Sequence, residues 1–170
     1  VTEQQPYEVV RRFGDVEIRE YPAAAVAEVT VRGSFEEAGN RAFGSLFGYI
    51  SGRNRGRQKI AMTAPVLMGA EHDGRHAVAF VLPASLGASD APAPDDTSVL
   101  VRELPATTTA ALAYSGRWTR ESYERHCATL LAVLASHDIT AVGEPRFARY
   151  NPPFTPWFLR RNEVLVDIAG

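Results

Sequence analysis

Polar and apolar residues alternate over Tyr7–Arg11, Val16–Tyr21 and Ala25–Arg32, and a period of two predicts three strands. Phe13-Gly14-Asp15, between the first two, is a hairpin signal. The period then changes. Ser34 is followed three residues later by Glu37, the pairing of a capping box. Beyond it Phe35, Ala38, Gly39, Ala42, Leu46 and Ile50 share one stripe at about 100° per residue. This predicts a helix running to about Ser51, with that stripe on a sheet and Gly52 as the cap. Strands follow near Ile60–Met68 and Ala77–Leu82, then residues 84–97, rich in Ala, Pro, Ser and Asp, which read as an exposed loop. Strands at Val99–Glu103 and Thr108–Ser115, a helix over about Thr119–Ser136, and strands near Arg146–Tyr150 and Glu163–Ile168 complete the chain.

The order recurs. Gly33 and Phe35 before the first helix are matched by Gly116 and Trp118 before the second, and the last strand stands where Ala77–Leu82 stands in the first half. The expected fold is α+β: a single domain over residues 6–169, with an internal repeat of approximately 7–83 and 98–168. It would form a distorted β-barrel of two pseudo-symmetric β-rich halves, each with one packed helix.

Glycines fall at 44, 48 and 52, although each Gly inside a helix costs roughly 0.8–1 kcal/mol relative to Ala. Gly44 and Gly48 are expected on the solvent side near Glu37, Asn40 and Arg41, with Phe43 and Phe47 at the edge of the buried stripe. Either a flat apolar body lies on a strip without side chains, or a neighbouring loop or strand approaches closely there. A second segment stands out between Tyr150 and Val164. Pro152, Pro153 and Pro156 stiffen it, Phe154, Trp157 and Phe158 are carried on it, and Arg160 and Arg161 follow. Rings beside guanidiniums suit a planar ligand bearing carboxylates, and they suit equally a plug over one end of a barrel.

Composition narrows the classes. With 170 residues, 45% hydrophobic and 22% charged, the chain can bury a real core, and global disorder is excluded. A net charge of −2 leaves no footprint of a nucleic-acid binder. No apolar run reaches the roughly 18–20 residues of a membrane span. The single cysteine, Cys127, is expected to be buried in the second helix and excludes an internal disulfide framework. With no visible targeting segment, a cytoplasmic protein is expected, although export stays open.

Candidate iron or metal ligands are few. His72 and His76 bracket a turn, and Met62 and Met68 could ligate haem iron through sulfur but alternate as core residues would. His126 and His137 lie on the second helix without carboxylates at zinc-site spacing. The basic stretch at 53–59 lacks the phosphate-loop pattern, and no nucleophile arrangement can be placed, so no catalytic residue is expected.

Three segments together resemble the SOUL haem-binding protein family: Tyr7–Ala24, Lys59–Met68 and Ala148–Val166, in the family's order and spacing. The resemblance implies a two-helix distorted barrel that holds haem or another tetrapyrrole in an open apolar groove beside the first helix. Its helix contacts would be Asn40, Phe43, Phe47 and Gly48, beside the bare Gly44. Two departures matter. Glu20 stands where some members place a proposed iron-ligating His, and Asn40 and Gly48 stand where others carry basic groups for propionates. Arg41, Arg160 and Arg161 are the available substitutes. The leading expectation is reversible haem binding for buffering or transport, with a small-molecule tetrapyrrole as partner. The alternatives are a dechelatase, with Glu37 as a crude proton donor, and a sensor for other apolar small molecules.

Overall fold

The computed structural model describes residues 2–170. In chain order its elements are β1 (Glu3–Gln4), β2 (Glu8–Phe13), β3 (Val16–Tyr21), β4 (Ala24–Arg32), α1 (Phe35–Ile50), β5 (Thr63–Ala64), β6 (Val66–Met68), β7 (Arg75–Val81), β8 (Leu100–Leu104), β9 (Thr107–Tyr114), α2 (Arg120–Ser136), β10 (Arg146–Arg149) and β11 (Asn162–Asp167). They fall into two compact units that are interleaved in sequence. One holds residues 2–5 and Ala23–Pro105, the other Pro6–Pro22 and Ala106–Gly170. No helix among the described residues is long and apolar enough to cross a membrane.

In the first unit the antiparallel order is β6-β7-β4-β8, and β1 pairs in parallel with β5. Helix α1 packs on β4 and β7. Its start is fixed by the predicted capping box: the Ser34 hydroxyl accepts from the Glu37 N–H at 3.2 Å, and the Glu37 carboxylate accepts from the Ser34 N–H at 3.4 Å. Its end is capped by Ser51, and Gly52 follows at φ +119°, a conformation that costs glycine little. The whole expected stripe, Phe35, Ala38, Gly39, Ala42, Leu46 and Ile50, is buried.

The expected strand at 60–68 is broken into β5 and β6 at Pro65, which has no N–H for the ladder and follows a cis peptide bond. The exposed loop at 84–97 is tied back to the end of α1. Tyr49 donates its hydroxyl to the Pro92 carbonyl at 2.7 Å, Arg55 N–H donates to Ala93 at 2.8 Å, and Asp95 N–H donates to Arg53 at 3.1 Å. Buried Asn54 organises the turn between them, donating to Tyr49 and Gln58 carbonyls at 2.7 and 2.8 Å and accepting from the Gln58 N–H at 2.9 Å.

In the second unit the order is β2-β3-β9-β11-β10, antiparallel throughout. Alternation assigns the faces. Val16 and Ile18, Ala110 and Leu112, and Val164 and Val166 form one core with Leu130 and Leu134 of α2. Arg19, Tyr21 and Glu163 take the opposite positions in register and are buried as well. The Arg19 guanidinium is 2% exposed and meets Glu163 through two bonds of 2.8 and 2.7 Å. It donates twice more to Glu17, at 2.9 and 2.8 Å, and once to the Tyr21 hydroxyl at 2.9 Å, so all five of its N–H groups are used. Glu163 also accepts from Tyr150 at 2.7 Å and Arg161 at 3.0 Å, and Tyr7 lies under the Arg19 guanidinium at 4.0 Å.

The α+β class and the two packed helices are as expected. The closed barrel is not. Within each unit the strand order is linear with two ends, and β8 and β2 each pair on one edge only. Both are largely exposed and carry charges on the outer edge, Arg102 and Glu103 on β8 and Glu8, Arg11 and Arg12 on β2, which oppose further pairing. The units do not match strand for strand either: of the nine strands in the large sheet four lie in the first and five in the second.

Burial alone would raise the Glu163 carboxyl, but the bonds and charge of Arg19, with Tyr150 and Arg161, outweigh it and hold it below the ordinary carboxylate range. Its contribution to stability is therefore full above the unfolded value of about 4.3 and is lost as pH falls through the folded value. Glu163→Gln leaves the buried Arg19 short of its partner and is expected to cost about 3–5 kcal/mol at neutral pH. Urea unfolding followed across pH checks both points: the gap between variant and parent should narrow in acid.

Candidate functional site

The outer side of α1 carries the aromatic pair that the sequence places there. Phe43 and Phe47 are 45% and 48% exposed, with ring centroids 5.4 Å apart and planes 14° from parallel. Phe43 is braced from below by the edge of buried Phe80 at 6.0 Å. Asn40 and Gly44 are exposed beside them, and a Cβ built on Gly44 would meet nothing within 4 Å. Gly48 differs. It is buried, and a Cβ there would come 3.1 Å from Cδ of Arg53, whose side chain crosses it. The bare strip is therefore confined to Gly44, while Gly48 serves the close approach of a loop side chain.

A hollow of about 620 Å³ opens next to this strip, lined by Arg41, Gly44, Ser45, Arg53, Asp95 and Asp96. Arg41 is paired along the helix with Glu37 at 3.4 Å. Asp96 accepts from the Ser98 hydroxyl and N–H at 2.6 and 2.9 Å, and these bonds, then Ser45 and the charge of Arg53, hold its carboxyl below the usual range. The Arg53 guanidinium makes no hydrogen bond or ion pair among the described residues. Arg53 lies in the basic stretch 53–59 that the sequence marks, but its meeting with Asp95 and Asp96 comes from the docking of the 53–59 and 84–97 loops, which leaves no periodic signal.

The C-terminal aromatic segment belongs to the other unit. Thr155 N–H donates to Pro152 at 3.1 Å, and a 3₁₀ turn at Trp157–Leu159 is closed by Leu159 N–H to Pro156 at 2.9 Å. Arg160 folds back beneath the loop, donating to the Thr155 and Pro153 carbonyls at 3.0 and 2.9 Å and stacking on Trp118 at 4.0 Å. Its neighbour Arg161 turns to Glu163 and Tyr7, at 3.0 and 3.2 Å, and covers the Tyr150 ring. The two arginines expected as a pair thus serve different places. Phe154, Trp157 and Phe158 are exposed on the loop, as is Leu159, which continues their apolar run, and the Trp157 and Phe158 rings meet edge to face at 5.5 Å. Arg149 also lies over Trp118, at 4.3 Å, and burial, with the charge of Arg160, brings it down to about 10.

The remaining candidates are placed individually. His76 is buried with Nδ1 2.9 Å from the Gly69 carbonyl, whereas His72 is exposed at the turn. Met68 is buried in β6 and Met62 half-buried before β5. His126 bonds Ser122 and stacks on Tyr114, and His137 caps α2 against Phe13. Among the described residues no group of three or more His, Cys, Asp or Glu could hold a metal ion. Glu37 is bound into the capping box; its bonds to Ser34, then Arg41, keep its carboxyl low, so at neutral pH it has no proton to donate. Burial pushes the Cys127 thiol up, away from reactivity. Glu20 is exposed on β3.

This α+β arrangement of two helix-backed antiparallel units is shared with solved structures. The C-terminal domain of EcmrR aligns over 96% of this chain and 98% of its own with a TM-score of 0.69, at 10% identity, a likeness of fold alone. The family model described as SOUL heme-binding protein matches residues 2–167. The chain belongs to that family. It is 28% identical over 155 residues to heme-binding protein 1 of Xenopus tropicalis, covering 87% of this chain and 80% of that protein. Against heme-binding protein 2 of Mus musculus it is 25% identical, covering 95% and 86%.

The two glycines should respond differently to a side chain. Gly44→Ala enters open space on an exposed helical face and is expected to stabilise by about 0.5–1 kcal/mol. Gly48→Ala must displace the Arg53 stem and should gain less. Paired thermal melts check the order.

Proposed function

We propose that this protein binds haem, or a tetrapyrrole of the same shape, reversibly on the outer face of α1, as a buffer or carrier. The observation that carries the reading is the exposed, braced ring pair Phe43 and Phe47 beside the uncovered backbone of Gly44. A macrocycle is flat and apolar, and membership of a haem-binding family supports it over other flat bodies. The rings offer dispersion contact, and Gly44 lets the plane come close to the helix. At the adjacent hollow Arg53 would take an acidic substituent, with Arg41 joining it if its exposed 3.4 Å pairing with Glu37 gives way, and Asp95 and Asp96 on the same wall limit how far such a group enters. Bound haem would add iron redox and ligand chemistry; the chain's own residues supply stacking and charge, and no side chain is assigned as axial ligand. One face of such a ligand stays wet, which fits release rather than permanent capture. Glu37, held ionised, gives no support to the dechelatase reading.

Absorbance titrations with haemin and with metal-free protoporphyrin test the proposal, with Gly44→Leu and Phe47→Ala as variants. Both ligands should saturate the parent protein, and each variant should weaken both by about tenfold, the equivalent of ~1.4 kcal/mol. Affinity indifferent to both variants would remove the site from α1, and absence of saturable binding would end the reading.

A further inference from the structure

We propose that the loop from Tyr150 to Arg161 docks this protein onto a bilayer surface that carries anionic headgroups. Four large apolar side chains stand out of its tip: Phe154 is 86% exposed, Leu159 65%, Phe158 59% and Trp157 45%. Exposed apolar clusters of this kind mark interaction surfaces, and this one is held out rather than left loose. Arg160, the turn at Thr155 and the 3₁₀ turn fix the backbone so that these side chains cannot fold back under it.

The charge around the loop selects an anionic bilayer over a protein partner. The backbone is satisfied in part: Pro152, Pro153 and Pro156 carry no N–H, and those of Thr155, Leu159, Arg160 and Arg161 are bonded within the loop, while the N–H groups of the tip residues Phe154, Trp157 and Phe158 are left to headgroup and water oxygens at the interface. The charge at its base has one sign. Arg117 lies over Trp157 at 4.8 Å, Arg149 and Arg160 lie over Trp118, and none of the three pairs with a carboxylate among the described residues. No acidic residue occurs between Glu144 and Glu163. Apolar and aromatic groups at the tip with guanidiniums behind them match an anionic interface, where rings settle at headgroup level and cations meet the surface potential.

The test is co-sedimentation of the full chain with phosphatidylcholine vesicles made with and without phosphatidylserine, alongside tryptophan emission. Trp157 and Trp118 are the two tryptophans of the chain. Binding to the anionic vesicles with a blue shift is expected. It should fall about fivefold with Arg117→Gln, the ~1 kcal/mol of one basic group at the surface, and further when salt rises from about 0.1 to about 1 M. It should be abolished in the double variant Phe154→Ser/Leu159→Ser, whose exposed positions leave the fold intact by circular dichroism. Failure to bind anionic vesicles overturns the proposal, as does binding that survives the double variant. So does self-association that depends on Phe154 and occurs without vesicle binding. If the double variant weakens haemin while vesicle binding is unchanged, the loop is a ligand wall and the proposal falls, while the α1 reading keeps its own test.

Discussion

The second unit is organised around a charge it could not bury alone. Arg19 sits at 2% exposure on the sheet face away from α2, where an unpaired guanidinium would cost several kcal/mol. Everything within reach is arranged to prevent that. Glu163 supplies two oxygens in the fork geometry, Glu17 and Tyr21 take the remaining N–H groups, and Tyr7 lies beneath the plane. Because the partners come from β3, β11 and the residues next to β2 and β10, the pair sets register as well as charge. A slip of β3 by one residue would aim Arg19 into the apolar core of α2 and leave Glu163 with Arg161 as its one cation among those described. Such a network adds specificity to the pairing even where its net contribution to stability is small.

The first unit rests on the other kind of constraint, close approach. The apolar stripe of α1 is built on small residues, Ala38, Gly39 and Ala42, which let the helix settle onto β4 and β7. The outward side then divides at one turn. Gly48 accepts the stem of Arg53, and Gly44 accepts nothing in the protein itself. A helix that keeps glycine in open space forgoes a gain that alanine would give.

The periodic signals were the legible part. The change from a period of two to one of 3.6 at Ser34 located α1, and the same rule located the strands around Val16, Val78 and Val164. Pro65 interrupted a stretch whose side chains alternate well, because alternation reports faces and not the N–H groups a ladder needs. The interleaving of the units was invisible, since β3 pairs with β9, about ninety residues later, and no local pattern encodes that. At the candidate site Phe43, Phe47 and Gly44 could be read from helical angles alone. Arg53, Asp95 and Asp96 could not, because their neighbourhood depends on Asn54 and Tyr49 drawing two loops together. Arg160 and Arg161 show the remaining limit: adjacency in an extended chain implies opposite directions, but not which carbonyl or carboxylate each will find.

The clip between Tyr49 and Pro92 has a bearing on how freely this chain can vary. Residues 92–95 are fastened to the end of α1 and frame the hollow, whereas residues 85–91 form short local turns and are mostly exposed. Lengthening that stretch adds only a logarithmic loop-closure term, about 0.6 kcal/mol per doubling. Relatives or designed variants can therefore carry inserts of very different size there, while the acidic wall of the hollow keeps its position.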